Sequence, residues 1–563
     1  MAKKKHKQYK YRNKTTTNHL PDEPELKSEF KYADIISVSI LALVIIMIYA
    51  NGLNNVFLSD DFGILQNKNL GTLKDITSQP FNFVRPLLFM IAVKIGGVIP
   101  ITFRIINVLL HVGAVSTLYY ILKSQFNRNV AFLAGLLVAV HPIFVESVTW
   151  ISGGGYVQYS FFFLLSFYWY INAQKRVVPL IFSYMLFFFS LASSIAAASL
   201  APIFLVYEFV FGSLKKNWLR TIPYAFLSGV YAFIVLTGAL AQRQVALEQT
   251  SYQSIENMNL FVKIPYAISN YIQLIVWPQN LTLYHSELSI SYIALAIHVV
   301  VLILLLLALV YLYIKNRKLF FWGSIFFVGL LPTLLSPGVA WVVAERYAYI
   351  STVGVLVVVA YCSIQLLKNK KITIFINIML AIIILGFMVR TIARNIDWQN
   401  EDNLWIATGK TSPSDPKTHN NLGDVYGRRG DLQKAAEEFT RAIELNPNYA
   451  DAYHNLGNTY QQMGSPSAAL QLYQKAYEIN PNLWQSLQQI AIIYFQNQEF
   501  ETAINYMNQA IEVSPQNPTL YINLGLMYNQ LGDPDNARAS FMKALEINPG
   551  NEIATQALSE LPL

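Results

Sequence analysis

The chain has 563 residues, 54% of them hydrophobic and only 13% charged, against about 25% charged in ordinary soluble domains. This excludes a disordered chain and argues against a wholly water-soluble one. Charge divides near residue 396: residues 1–396 hold 32 Lys and Arg against 14 Asp and Glu, and residues 397–563 hold 9 against 19, so a basic region (+18) is joined to an acidic one (−10).

The chain opens on MAKKKHKQYKYRNK. Residues 1–34 read as a basic cytoplasmic tail, and not as a nucleic-acid-binding arm, because later basic residues also fall in short clusters between apolar runs. The first apolar run starts near Ile35 and has full spanning length, so it reads as a membrane span and not as a cleavable signal. The single cysteine, Cys362, lies in a later apolar run, which excludes a disulfide framework and a cysteine-rich metal site.

A spanning helix needs roughly 20 apolar residues. Candidate runs are 35–54, 103–122, 129–145, 157–172, 177–192, 196–212, 221–240, 291–314, 320–335, 347–367 and 372–392. A further run, 258–279, is interrupted by Lys263, Pro265 and Pro278 and reads as a span or as an interfacial helix. Cytoplasmic loops concentrate Lys and Arg. With the tail inside, the clusters Lys123/Arg128, Lys175/Arg176, Lys215/Lys216/Arg220, Lys315/Arg317/Lys318 and Lys368/Lys370/Lys371 all fall inside only if 258–279 does not cross. This predicts eleven spans within residues 35–396 and places residues 397–563 outside the cytoplasm.

Ionisable residues in or beside spans are costly and carry functional hypotheses. On this topology they gather at the external face. Asp60 and Asp61 follow the first span, where a carboxylate pair suits a general base, a metal or a sugar hydroxyl, or merely a solvated turn. Arg85 lies later in the same loop and suits a phosphate or an interfacial anchor. In HPIFVESVTWI (141–151), His141 and Glu146 flank the turn set by Pro142, and Trp150 fits an interfacial belt. Glu345 and Arg346 open a late span, and Arg346 calls for an anion: Glu345, Asp60, Glu146 or a lipid phosphate. His111 and Glu208 read as packed structural residues. Gly153-Gly154-Gly155 lacks the strand, Lys and helix of a phosphate loop, so any donor must arrive already activated.

The acidic region repeats. Pro413, Pro447, Pro481, Pro515 and Pro549 are spaced by 34, and NLGDVY at 421–426 recurs as NLGNTY, QIAIIY and NLGLMY at the same interval. A period of 34 with small residues in the first helix and Pro at the turn is the tetratricopeptide signature. Four repeats are predicted over about 415–550, after a half repeat holding Trp398 and Trp405 and before a capping helix. Asn421, Asn455 and Asn523 share one repeat position, either lining a concave peptide groove or packing the helix turn. The fold class is thus all-α: a polytopic membrane helix bundle followed by an α-solenoid.

The acidic pair after the first span, HP-x-x-x-E leading into Trp-Ile, and Glu345-Arg346-Tyr347 before a late span, all ahead of the repeats, resemble the transmembrane and tetratricopeptide-repeat O-mannosyltransferases. These are membrane glycosyltransferases of the GT-C class. RPLLF (85–89), FRIINVLLH (103–111), WPQNL (277–281) and WQNEDNLW (398–405) add to the likeness. Gly153 to Tyr156 and Ser194 to Ala197 depart from the pattern of the relatives. The resemblance implies transfer of a sugar, with mannose the one indicated, from a polyprenyl- or dolichyl-phosphate donor to Ser or Thr of a protein outside the cytoplasm. By position it makes Asp60 or Asp61 the base, Arg346 and Arg85 the phosphate ligands, and His141, Glu146 and Glu345 the sugar and acceptor pocket. The repeats would present the acceptor polypeptide. No cofactor is required, and a divalent metal is left open. Membrane lipids, the lipid-linked sugar and the acceptor are the expected partners, and nucleic acid is not. The competing readings are a membrane-anchored scaffold without enzymatic activity and an enzyme acting on a lipid-linked glycan.

Overall fold

The computed structural model describes residues 24–173, 176–249, 259–283, 285, 290–335 and 342–561, with side chains described except at 24–31, 235, 236 and 238–249. Most of the basic tail, residues 1–23, therefore lies outside the described residues. The first helix runs Pro24–Tyr49, so the end of the predicted tail is already helical. Asp34 near its start accepts from Tyr119 Oη (2.9 Å) and Arg128 Nε (3.1 Å) and pairs with Lys123. Lys123 closes the helix Pro100–Gln125, and Arg128 opens Arg128–Val140. Trp322 Nε1 and Lys318 Nζ, from the helix Arg317–Leu335, bond to Gln125. The basic residues 123, 128, 317 and 318 therefore share one end of the bundle, hereafter the basic end.

Six helices among the described residues are long and apolar enough to cross a membrane: Tyr32–Gly52, Pro100–Gln125, Tyr292–Lys315, Arg317–Leu334, Glu345–Leu366 and Thr373–Asp397. Arg128–Val140 with Pro142–Val148 makes a seventh if the pair, bent by 55°, is counted as one span. Eleven such helices are not present among the described residues. The 15 residues of Val177–Leu191 reach only about 22 Å at 1.5 Å per residue, short of the ~30 Å hydrocarbon core. Gly155–Ala173 breaks its apolar run with the buried Gln158, Ser160 and Ser166. Ser166 and Ser183 each donate to the other's carbonyl at 2.7 Å, a hydrogen-bonded helix contact of the kind that substitutes for the hydrophobic effect in lipid. Leu260–Val276, the interrupted run, is a helix of 17 residues with Pro265 inside. Tyr292–Lys315 buries none of its residues and lies at the periphery of the bundle.

At the opposite end, buried amides fasten the first loop to the last span. Asn395 Nδ2 donates to the carbonyl of Ile48 and to Asn51 Oδ1, both at 2.9 Å, while its Oδ1 accepts from Thr149 (2.7 Å). Asn55 Nδ2 donates to the Asn395 carbonyl (2.8 Å), and Val56 N–H to that of Gln399 (3.2 Å). Arg104 donates through Nε to the Thr149 carbonyl (2.8 Å) and through its other nitrogens to those of Asn55 and Val56. A buried arginine is tolerated where carbonyls satisfy its donors.

The repeats start at this same end. Trp398 stacks on Trp150 (5.4 Å, 26°). Trp398, Leu404, Trp405, Leu422 and Val425 belong to the same hydrophobic core as the bundle. After Glu401–Thr411 come the pairs Pro416–Arg428 with Leu432–Leu445, Ala450–Gln462 with Pro466–Ile479, Trp484–Gln496 with Phe500–Val513, and Pro518–Gln530 with Pro534–Ile547. Glu552–Glu560 caps them. The 34-residue period has a packing cause: a Cβ on Gly423, Gly457 or Gly525 would press on the Phe439, Tyr473 or Phe541 ring of the paired helix, and the third repeat sets Ala491 in one core with the unbranched Met507.

Candidate functional site

The loop that follows the first helix supplies an acidic cleft. Ser59 holds φ at +50°, a left-handed conformation that a non-glycine residue adopts only when its surroundings impose it. The twist turns the next two residues apart. Asp61 points inward and is fully buried. Its Oδ1 accepts from the N–H (2.8 Å) and Oγ (2.6 Å) of Ser152, and its Oδ2 from Leu58 N–H (3.1 Å). Burial raises its pKa above the ordinary carboxylate value, although these hydrogen bonds and Arg104 act against the rise. Asp60 is exposed.

Asp60 opens onto a cleft of about 300 Å³, lined also by Asn67, Asp75, Gln79, Arg85 and Ser152. Arg85 sits over the ring of Phe89 (5.3 Å) and makes no hydrogen bond or ion pair with the described residues. Burial lowers its pKa, and the nearby charges of Asp61 and Asp60 oppose that fall. Asp75 is buried and, among the described residues, uses only Oδ1, accepting from Asn67 (2.9 Å) and Gln79 (3.0 Å). Its Oδ2 remains available to the cleft. A carboxylate with a free oxygen beside an unpaired guanidinium is equipped to orient hydroxyls and to hold an anion.

Behind this cleft lies a largely buried layer of ion pairs. Glu146 accepts from the Arg346 backbone N–H (2.8 Å) and pairs with its guanidinium. Glu345 pairs with Arg394 (2.8 Å), both fully buried, and Arg394 pairs with Asp397 (3.1 Å). The Arg346 guanidinium lies over Trp150 (5.5 Å) and Tyr347 (4.9 Å), and Arg394 lies over Trp398 (5.7 Å). Two features join layer and cleft. The turn of residues 149–152 carries the Arg104 acceptor, the Trp150 ring and the Ser152 donors in succession. Tyr156 is an electrostatic neighbour of both Arg85 and Arg346.

The glycines after Trp150 have a steric role. A Cβ on Gly153 would strike the Glu146 carbonyl, and one on Gly154 would lie 2.6 Å from Asn107. Glycine lets this turn press against the helix end that carries Glu146.

The structure thus brings Asp60, Asp61 and Arg85 together at the cleft, and Glu146, Glu345 and Arg346 together in the layer behind it. His141 is in neither. Its Nε2 bonds to the Ile275 carbonyl (2.8 Å) and its Nδ1 accepts from Ile143 N–H (3.2 Å). Both nitrogens are occupied by backbone, so the ring braces the bend at Pro142 and is not among the cleft-lining residues. His111 bonds to Tyr349 (2.6 Å) and Glu208 to Tyr170 (2.6 Å), both as packed residues. Asn421, Asn455 and Asn523 are half-buried on the first helices of their repeats. Asn455 donates to Asn420 of the preceding repeat (3.1 Å), and the other two make no hydrogen bond to described residues.

Sequence reasoning missed Asp75, Arg394, Arg104 and Tyr156. Asp75 could have been found as the remaining acid of the first loop, and Arg394 as a cation at the end of an apolar run with no cytoplasmic loop to explain it. Among the described residues no group of three or more His, Cys, Asp or Glu is placed to hold a metal ion.

The tetratricopeptide-repeat family is matched over residues 423–464, 450–483 and 490–562. A protein O-mannosyl-transferase of Caenorhabditis elegans is 23% identical over 472 residues, covering 76% of this chain and 65% of its own length. A protein O-mannosyl-transferase of Mus musculus is 24% identical over 497 residues, covering 75% of this chain and 52% of its own. One from Drosophila melanogaster is 32% identical over 114 residues, 20% of this chain and 12% of its own. This chain therefore spans between about half and two thirds of the two relatives it matches at length. Among solved structures, MamA is 25% identical over 28% of this chain and 90% of its own, with a TM-score of 0.25. The chain is an all-helical tetratricopeptide-repeat protein whose homologues are named protein O-mannosyl-transferases, as its motifs led us to expect.

Proposed function

We propose that this chain is a GT-C-type glycosyltransferase that moves a sugar, mannose by analogy with the relatives' names, from a polyprenyl- or dolichyl-phosphate carrier to a Ser or Thr hydroxyl of a polypeptide. The observation that carries the reading is the cleft in which exposed Asp60 and unpaired Arg85 meet at the repeat-bearing end of the bundle.

In this reaction the acceptor hydroxyl attacks the anomeric carbon, the bond from that carbon to the phosphate oxygen breaks, and the lipid phosphate leaves. Asp60 receives the hydroxyl proton, and Asp61 holds the loop that aims it. Arg85 neutralises the departing phosphate, with Arg346 adding positive potential from the layer behind. With Asp60 acting as base, the transfer is a single displacement, which inverts the anomeric configuration. Because a phosphate leaves readily, positioning and charge stabilisation supply most of the acceleration. Glu146 and Glu345 shape the pocket by fixing Arg346 and Arg394, and His141 shapes it through the bend.

The same reading places the cleft and the repeats on the non-cytoplasmic face and the basic end in the cytoplasm. The shorter helices complete eleven crossings where the bilayer thins around them. Asn421, Asn455 and Asn523 offer amides to an extended acceptor. The test is transfer from a radiolabelled polyprenyl-phosphate mannose to an acceptor peptide by the purified full-length protein. D60N should lower turnover by at least about 100-fold, and R85Q should weaken the donor's apparent affinity. Full activity in D60N would sink the reading.

A further inference from the structure

A second cavity, of about 620 Å³, lies at the basic end, across the bundle from the cleft. It is walled by the turn joining Pro100–Gln125 to Arg128–Val140, the turn joining Tyr292–Lys315 to Arg317–Leu335, and the ends of two further helices at Phe211 and Gln365. Arg317, Lys318 and the amide nitrogens of Gln125, Asn127 and Asn316 give this cavity an excess of donors, and Tyr361 and Gln365 can donate or accept. Asn127 Oδ1 is committed to Val130 N–H (3.0 Å), and Asn316 Oδ1 to the N–H groups of Lys318 (3.1 Å) and Leu319 (3.3 Å). Each cap therefore has only its NH₂ group left to offer. Gln125 is 8% exposed, its Oε1 accepts from Trp322 (2.8 Å), and its Nε2 is buried with no partner. Arg317 is exposed and stacked on Tyr313 (5.4 Å). Lys318 donates to the Gln125 carbonyl and sits over Phe126 (5.7 Å).

Among the described residues no carboxylate lines the cavity. The acids on the helices packed around it are already engaged, Glu208 with Tyr170 and Asn217, and Asp34 with Lys123, Arg128 and Tyr119. Two helices, of 13 and 19 residues, also begin here, adding the positive ends of their dipoles. An unpartnered buried donor carries a desolvation cost, and an acceptor-rich anion relieves it.

We propose that this cavity binds the phosphate of an anionic phospholipid head group. Arg317 and Lys318 pair with the phosphate charge, Gln125 Nε2 and the Asn127 and Asn316 amides bond its oxygens, and the acyl chains leave along the apolar flank of Tyr292–Lys315. The lipid then clasps the two turns together. The site is independent of the glycosyltransferase reading, since it needs neither the cleft nor the repeats.

The test is thermal unfolding of the purified full-length protein in neutral detergent, titrated with dioleoylphosphatidylglycerol, with dioleoylphosphatidylcholine or with inorganic phosphate. Phosphatidylglycerol should raise the midpoint saturably and phosphatidylcholine should not. R317Q/K318Q should weaken half-saturation by about tenfold or more, while K370Q/K371Q, which removes equal charge outside the cavity, should leave it unchanged. Equal half-saturation in wild type and R317Q/K318Q, or an equal loss in K370Q/K371Q, would overturn the site. A shift of the same size with inorganic phosphate alone would overturn the lipid as its source. If R317Q/K318Q does not fold, R317Q alone decides, because Arg317 has no polar partner among the described residues to lose, and wild-type affinity there overturns the proposal.

Discussion

Asp60 and Asp61 are neighbours in the chain and opposites in surroundings. Asp61 is buried behind Ser152, and its raised pKa means that folding favours its protonated form. The stability it contributes is therefore fully present below the ordinary carboxylate pKa and is lost as pH rises through its folded value. Thermal unfolding between pH 4 and 7 should show this slope in the wild type and lose it in D61N; an unchanged slope in D61N would assign the effect elsewhere. The Glu345–Arg394 pair is fully buried on both sides. R394A leaves an uncompensated carboxylate and should cost about 3–5 kcal/mol, whereas the double change E345Q/R394M should recover much of that loss. Chemical denaturation of the two variants measures the difference. These pairings were only partly legible in the sequence. Arg346 was expected to seek an anion, with Glu146 among the candidates, because an arginine at a span end is conspicuous. Arg394 escaped notice because it was placed beyond the end of its apolar run. Asp75 escaped because a lone acid in a polar loop carries no pattern.

Among the elements, the repeats were readable because period, proline and small residue each report the same packing contact. The bundle was less so. Apolar runs mark helices but do not fix where they bend, and the break at His141–Pro142 turns one expected span into a bent pair. Runs such as 177–192 were apolar enough to count and too short, as helices, to cross an unthinned bilayer. The glycine turn after Trp150 looked like a defective phosphate loop, yet it is set by contact with the Glu146 carbonyl. Because that obstacle is backbone, G153A forces the turn away from Glu146. It should destabilise the protein by about 1–3 kcal/mol and lower transfer more than G427A, whose added Cβ meets nothing closer than 3.9 Å. Parallel unfolding and transfer assays of the two variants compare them.

In the molecule as a whole, the two halves that differ in composition share one core. Trp398 is buried between them, stacked on Trp150. W398A should cost about 3–5 kcal/mol and expose the chain near residues 396–401 to protease while each half remains folded. Limited proteolysis with identification of the first cut checks this, and a first cut inside either half would refute it. Composition alone marked a junction near residue 396. A change of solvent along the chain marks where a membrane face ends but says nothing about whether the parts on either side move independently.

The hydrogen bonds from Val56 to Gln399 and from Asn55 to Asn395 mean that the loop bearing Asp60 and the root of the repeat array are built on a common footing. Under the proposed function, a polypeptide gripped by the array would be held at a fixed reach from the point of attack. Sugars would then be added at a set number of residues from the gripped segment, as with a caliper, and lengthening the array's root would shift the whole pattern of modified positions along the acceptor.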